Sequence, residues 1–227
     1  MNITVLIPAL NEASCIGELV KAALAQPVSE VVVVDNGSTD GTAEVARRAG
    51  ARVVREPRRG YGYACAAGAA AASSADVLVF LDGDYSFSPD EMPALLAPLH
   101  EGRADLILGS RALGRVEPGS MPLPQRFGNW LAARLMRIIY QLPITDLGPY
   151  RAVRCDLLVP LDMREMTFGW PTEMIVKAAR RGARIVEVPV SYRSRRAGRS
   201  KVSGTLRGTL LAGWHILGVT LRYALRS

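Results

Sequence analysis

The chain opens on a short apolar run, Ile3 to Ile7, that reaches Pro8 and gives way to Asn11-Glu12 before an amphipathic stretch carrying Leu19, Val20, Ala23 and Leu24. That order predicts strand, loop and helix. Val31-Val32-Val33-Val34 is continuously β-branched, the pattern of a parallel strand covered on both faces, and it stops at Asp35-Asn36-Gly37-Ser38. Asp40 is placed to cap the next helix, which the pattern ends near Gly50. A strand follows at 52–54, then an Ala-rich helix after Gly62, and a strand at 77–81 that ends on Asp82-Gly83-Asp84. Pro89-Asp90-Glu91 opens a further helix, and 105–108 reads as another strand. Strands alternating with helices at this spacing predict an α/β fold, with a mainly parallel central sheet flanked by helices. Ligands of such sheets bind at the carboxyl ends of strands, where Asp35 and Asp82 both stand.

Beyond Gly109 the alternation weakens. Residues 125–141 form an amphipathic helix with Phe127, Trp130, Leu131, Leu135, Ile138 and Ile139 apolar and Arg126, Arg134 and Arg137 among them. A helix at 172–181, a short strand at 185–190, a basic loop at 193–201 and an apolar stretch from Gly204 complete the pattern. No linker or internal repeat divides the chain, so residues 1–227 are expected to form one domain. The uncharged stretch between Arg207 and Arg222 falls short of the roughly 20 residues a membrane span needs.

Charge sharpens this picture by its distribution. The total is +7, yet residues 1–110 hold 8 Lys+Arg and 14 Asp+Glu, whereas 111–227 hold 20 and 7. A basic half concentrates polyanions, whether nucleic acid, a nucleoside diphosphate or anionic lipid. Hydrophobic residues at 49% exclude a disordered chain. Cys15, Cys65 and Cys155 match no metal or redox spacing and read as small hydrophobes in a reducing compartment. With no basic and apolar secretory regions after Met1, a cytoplasmic location is expected. His100 and His215 have no partner at ligand spacing, which disfavours a zinc site or a Ser-His-Asp triad.

Asp82-Gly83-Asp84 is the strongest local signal. Two carboxylates at the end of a buried strand can bind a hard divalent cation, Mg²⁺ or Mn²⁺, that bridges diphosphate oxygens, although a solvent turn uses the same residues. Arg58-Arg59-Gly60-Tyr61-Gly62 does not complete a dinucleotide fingerprint, because the third glycine position is Cys65. Arg193, Arg195, Arg196, Arg199 and Lys201 crowd nine residues with Gly198 and Ser200, a polycationic loop suited to phosphate or to nucleic acid.

In order, Pro8-Ala9-Leu10-Asn11-Glu12, Val34-Asp35-Asn36-Gly37-Ser38-Thr39-Asp40-Gly41-Thr42 and Asp82-Gly83-Asp84 resemble glycosyltransferase family 2, inverting enzymes of the GT-A nucleotide-diphospho-sugar transferase fold. Gly109-Ser110-Arg111, Asp146 to Arg151, Glu173-Met174, Glu187 to Val190 and Arg195 to Lys201 extend the resemblance toward the dolichyl-phosphate mannosyltransferase and polyprenyl-phosphate branch. The resemblance implies that 1–110 is the nucleotide- and metal-binding half and 111–227 the acceptor and phosphate half. It implies a nucleotide site of Pro8, Leu10, Glu12, Asp35 and Gly37, with the 58–62 loop lining the base pocket and Asp82 and Asp84 holding the metal. Arg111 and Arg151 would line the phosphate side, unless they pair with a structural acid such as Asp146; Arg196, Ser200 and Lys201 would bind phosphate. Glu173, at the start of a helix, would orient sugar or acceptor, and Asp84, Glu173 and Arg151 make the catalytic set. A Gln found in the branch two residues after the second Asp is Ser86 here.

The implied donor is a UDP- or GDP-hexose and the implied acceptor a polyprenyl phosphate, which is already anionic and needs no general base. A hydroxyl acceptor, with Asp146 or Glu173 as base, is the alternative, and a non-catalytic binder of nucleotide-sugar or nucleic acid the third reading; with the resemblance, no nucleic-acid partner is expected. The helix at 125–141 and the C-terminal apolar segment would seat the protein peripherally on an anionic membrane face, or serve as core or homodimer contacts.

Overall fold

Seven strands make one sheet among the described residues, 1–196, 218–220 and 222–223 of a computed structural model. They are β1 (Ile3–Ala9), β2 (Glu30–Asp35), β3 (Arg52–Arg55), β4 (Val77–Phe80), β5 (Leu106–Ser110), β6 (Arg151–Arg154) and β7 (Ile185–Pro189), in the order β3-β2-β1-β4-β6-β5-β7. All run parallel except β6, which is antiparallel to both its neighbours. The helices are α1 (Ile16–Leu24), α2 (Thr42–Arg48), α3 (Tyr61–Ala71), α4 (Met92–His100), α5 (Leu123–Tyr140), α6 (Cys155–Leu158) and α7 (Trp170–Arg180).

The β-branched runs form the central strands because helices cover both faces of the sheet. Val5, Val33 and Val79 point into one apolar layer with Leu19 of α1 and Leu95 of α4. Leu6, Val32, Val34 and Phe80, one residue out of phase, point into the other with Ala64 of α3, Met136 of α5 and Met174 of α7. Each fully buried aliphatic side chain of this kind contributes about 1.5–3 kcal/mol.

Two sequence expectations change. The short, arginine-flanked β6 carries no apolar run, and the alternation pattern does not predict it. Its reversed direction matters: Arg151 at its start pairs with Phe80 at the end of β4 and with Leu108 of β5, so a strand beginning reaches the edge where the other strands end. The expected helix at 125–141 forms, but only Ala132, Ala133 and Met136 of it are buried. Phe127, Trp130 and Ile138 are exposed, so this apolar stripe is not core. Among the described residues no helix is long and apolar enough to cross a membrane.

Helix α3 packs closely on the sheet at Gly68, where an added Cβ would lie 2.6 Å from Leu6 Cγ and 2.9 Å from Val34 Cγ2. Gly68→Ala is therefore expected to cost about 1–3 kcal/mol through overpacking, read as a lowered midpoint in thermal or urea unfolding. An unchanged midpoint would show that this contact relaxes without strain.

Candidate active site

Two loops leaving the carboxyl edge are stitched together before any ligand is considered. Asp35 Oδ1 accepts from Ser38 N (2.9 Å), Ser38 Oγ accepts from Asn11 N (3.0 Å), Asn11 Oδ1 accepts from Thr39 N (2.8 Å), and Thr42 Oγ1 accepts from Glu12 N (2.9 Å). Asp40 Oδ1 accepts from Thr42 N at the start of α2. Asn36 then ties in the 56–60 loop, donating to the carbonyls of Glu56 and Arg58 and accepting from Gly60 N. Asn11 and Tyr85, which flank the site in sequence, both have left-handed backbone (φ 53° and 60°), a strained conformation typical of ligand sites.

Above these loops opens a cavity of about 590 Å³. Pro8, Leu10, Glu12, Asp82, Asp84, Arg111 and Arg151 all line it, which brings together residues up to 143 positions apart in the chain. The register of β1 on β4, with Leu6 beside Phe80, carries Pro8 toward Asp82. Gly83 lets the two strand ends close: a Cβ there would stand 3.1 Å from the Pro8 carbonyl.

Burial, and next the neighbouring charge of Asp84, push the Asp82 carboxyl upward, against the pull of Arg111, Arg151 and Arg195. Asp84 Oδ1 accepts from Ser86 N (3.0 Å), and its Oδ2 lies 3.8 Å from Arg195. Two hard oxygen donors that repel each other in a desolvated cavity suit a divalent cation. Among the described residues no third acidic, Cys or His side chain joins them, so further ligands would come from substrate oxygens or water.

The arginines divide into distinct kinds. Arg151 is fully buried, and its guanidinium donates to the carbonyls of Leu147, Gly148 and Pro171. Burial draws its pKa down, partly offset by nearby Tyr61, Cys65, Asp146 and Asp82. Arg111 instead forms a bidentate pair with buried Asp146 (2.8 and 2.7 Å), the structural pairing that the sequence left open, yet still faces the cavity. Arg195 reaches into the cavity and binds Glu12 Oε1 at 2.7 Å.

Other expected site residues stand elsewhere. Asp35 is buried under its turn and does not line the cavity, and Gly37 touches it indirectly, through Arg59 Nη2 bound to the Gly37 carbonyl (3.0 Å). Arg196 pairs with Glu18 and lies over the Tyr85 ring at 4.1 Å, away from the cavity lining. Ser200 and Lys201, like the apolar stretch from Gly204, lie outside the described residues.

Glu173 is not brought to the cavity. Its buried carboxylate accepts from Arg164 N (2.9 Å), Glu165 N (2.7 Å) and Tyr223 Oη (2.6 Å), and pairs with Lys177 (2.8 Å). The loop it holds closes the wall: the Met166 carbonyl accepts from Tyr63 N, and Gly60 and Gly62 leave room for it where any Cβ would collide. Glu173 thus positions Thr167 and Phe168, which do line the cavity.

Arg59, Gly60 and Tyr61 of the loop expected at the base pocket line the cavity, and Asn36, Thr172, Tyr192 and Arg195, which the sequence did not single out as site residues, line it as well. Arg195 lay in the basic loop already noted, but nothing local distinguished it from Arg196. Thr172 carries a buried hydroxyl without a hydrogen-bond partner, a group a ligand can satisfy.

The glycosyl transferase family 2 model matches residues 4–159. An uncharacterized glycosyltransferase of Mycobacterium tuberculosis is 41% identical over 92% of this chain and 94% of its own length. An undecaprenyl-phosphate mannosyltransferase of Micrococcus luteus is 34% identical over 98% and 96%, and a dolichyl-phosphate hexose transferase of Haloferax volcanii 34% over 99% and 96%. Among solved structures, glucosyl-3-phosphoglycerate synthase from Mycobacterium tuberculosis in complex with Mn²⁺, uridine diphosphate and phosphoglyceric acid superposes with a TM-score of 0.78 at 25% identity, over 98% of this chain and 78% of that one.

Burial raises the Glu173 carboxyl pKa, but Lys177, Tyr223 and the two backbone amides outweigh it and hold the carboxyl below its ordinary 4.5. A depressed folded-state pKa stabilises the fold above the ordinary value and is lost as pH falls through the folded one. Glu173→Gln is expected to cost about 2 kcal/mol at neutral pH, roughly 5 °C in Tm. The gap to wild type should narrow below pH 4.5; a gap independent of pH would refute the ionised network.

Proposed function

We propose that this chain, which belongs to glycosyl transferase family 2 and is a glycosyltransferase of the GT-A fold, moves a hexose with inversion from a nucleoside-diphospho-sugar to a polyprenyl phosphate. The bond formed joins an acceptor phosphate oxygen to the anomeric carbon. The bond broken joins that carbon to the β-phosphate oxygen, and the electron pair leaves with the nucleoside diphosphate.

The observation that carries this reading is the commitment of charge around the cavity. Four guanidiniums, of Arg59, Arg111, Arg151 and Arg195, face three carboxylates, of Glu12, Asp82 and Asp84. Glu12 is bound to Arg195, Asp146 is spent on Arg111, and Glu173 is outside. A hydroxyl nucleophile would need a carboxylate base, whereas a phosphomonoester arrives deprotonated and benefits from the arginines. The names of the Micrococcus and Haloferax relatives support the same acceptor class.

Asp82 and Asp84 would hold Mn²⁺ or Mg²⁺, which when bound supplies charge neutralisation for the leaving diphosphate. The chain's own part is separable from that. Pro8, Leu10, Asn36 and Arg59 offer a wall for base and ribose, Arg195 is placed to exchange Glu12 for a phosphate oxygen, and Arg151 presents a buried positive charge to the transferring group. A cytoplasmic location, peripheral at the membrane face, accords with an acceptor held in lipid. The solved synthase, crystallised with phosphoglyceric acid, favours a second reading in which the acceptor is a small anionic molecule bearing a hydroxyl. Neither Asp146 nor Glu173 is then the base, since both carboxylates are engaged elsewhere.

Asp82→Ala and Asp84→Ala are each expected to reduce Mn²⁺-dependent release of nucleoside diphosphate by roughly 10²–10³-fold, with wild-type release ruling out the metal assignment. With UDP- and GDP-hexoses as donors, wild-type protein should glycosylate a short-chain polyprenyl phosphate and leave the matching polyprenol untouched; turnover of the polyprenol alone would reverse the choice of acceptor.

A further inference from the structure

Helix α5 has two faces with different partners. On the inner side Gln125 lines the cavity, and Asn129 Oδ1 accepts from Leu147 N (3.1 Å) and from Arg111 Nη2 (3.4 Å). On the outer side Leu123, Phe127, Trp130 and Ile138 follow one another at spacings of four, three and eight residues, which places them on one helical stripe. They are 77%, 62%, 54% and 65% exposed, values usual for surface charges rather than for large apolar side chains. The segment leading into the helix adds exposed Leu113 and Val116.

The charges on α5 say what covers this stripe. Arg134 falls within it and lies over the Trp130 ring at 5.9 Å; Arg126 and Arg137 fall along its edge on the side of Asn129. The helix contains no acidic residue. A contact between two copies related by a twofold axis would set these arginines against their own counterparts. An apolar stripe edged by arginines matches a leaflet of anionic lipid, where aromatic and aliphatic side chains enter the acyl boundary and guanidiniums meet phosphates.

We infer that the outer face of α5 docks on an anionic membrane surface and thereby sets the Gln125–Arg111 side of the cavity against the bilayer, where a lipid-borne phosphate can enter. This rests on the polyprenyl phosphate reading for its purpose, though not for its geometry. A helix of 18 residues lying in the interface plane needs no spanning segment.

Flotation of the full chain with phosphatidylcholine vesicles, alone and mixed with phosphatidylglycerol, tests the surface. Wild type should float with the mixed vesicles only. Phe127→Asp and Trp130→Asp should each lower partitioning at least tenfold, and Arg126→Ser, Arg134→Ser and Arg137→Ser each about fivefold. All five should keep wild-type Tm and wild-type turnover of a short-chain, water-soluble polyprenyl phosphate. Failure of wild type to float, or equal flotation with neutral vesicles, overturns the proposal. So does a large loss of Tm in Phe127→Asp, which would mean that the chain's own segment covers the stripe. A sedimenting dimer that Phe127→Asp converts to monomer without change in flotation overturns it in favour of a self-contact. Flotation that follows these variants, with no turnover of the soluble lipid phosphate, would keep the membrane surface and reject the acceptor instead.

Discussion

Two carboxylates two residues apart on the end of a buried strand set the terms for the carboxyl edge of this sheet. Burial disfavours the charged form of Asp82, and the neighbouring charge of Asp84 disfavours it further. Asp82 and Asp84 therefore require positive charge, and the chain delivers it from three separate places: Arg111 after β5, Arg151 at the start of β6, and Arg195 beyond β7. The reversed β6 is what makes this arrangement work. Were it parallel like its neighbours, Arg154 and not Arg151 would stand at the ligand edge.

A second constraint holds the opposite wall. Gly60 and Gly62 admit the Glu165–Met166 backbone so closely that α3 and the 162–168 loop become one surface. Glu173 fastens that loop from behind, and Tyr223, Arg222 with Glu165, and Tyr140 with the Thr220 carbonyl link it to the helical residues 218–220 and 222–223 and to α5. The cavity is thus bounded by elements whose positions depend on one another. Substitution at Glu173 would reach the cavity through Thr167 and Phe168 without touching it.

Under the proposed reaction, the arginines of the cavity would meet phosphate on both the donor and the acceptor side. Glu12 and Asp146 hold two of those guanidiniums in the free protein, so a diphosphate or phosphate entering the cavity would compete with carboxylates for them. The same economy extends to α5, one side of which braces Arg111 while the other exposes apolar side chains beside arginines.

Much of this was written in local pattern. Continuous β-branched runs, strand-terminal Asp82-Gly83-Asp84 and the Pro8 to Glu12 loop announced the parallel α/β half and its carboxylates, because strand burial and strand ends are governed by neighbours in sequence. Local pattern did not reveal β6, since four residues flanked by arginines acquire strand geometry only between β4 and β5. Nor did it show that Glu173 faces away from the cavity, that Arg195 enters it while Arg196 turns to Glu18 and Tyr85, or that the stripe of α5 is surface. Each of these depends on which group across the fold competes for a charge or an apolar face, and that competition is settled only when distant segments meet.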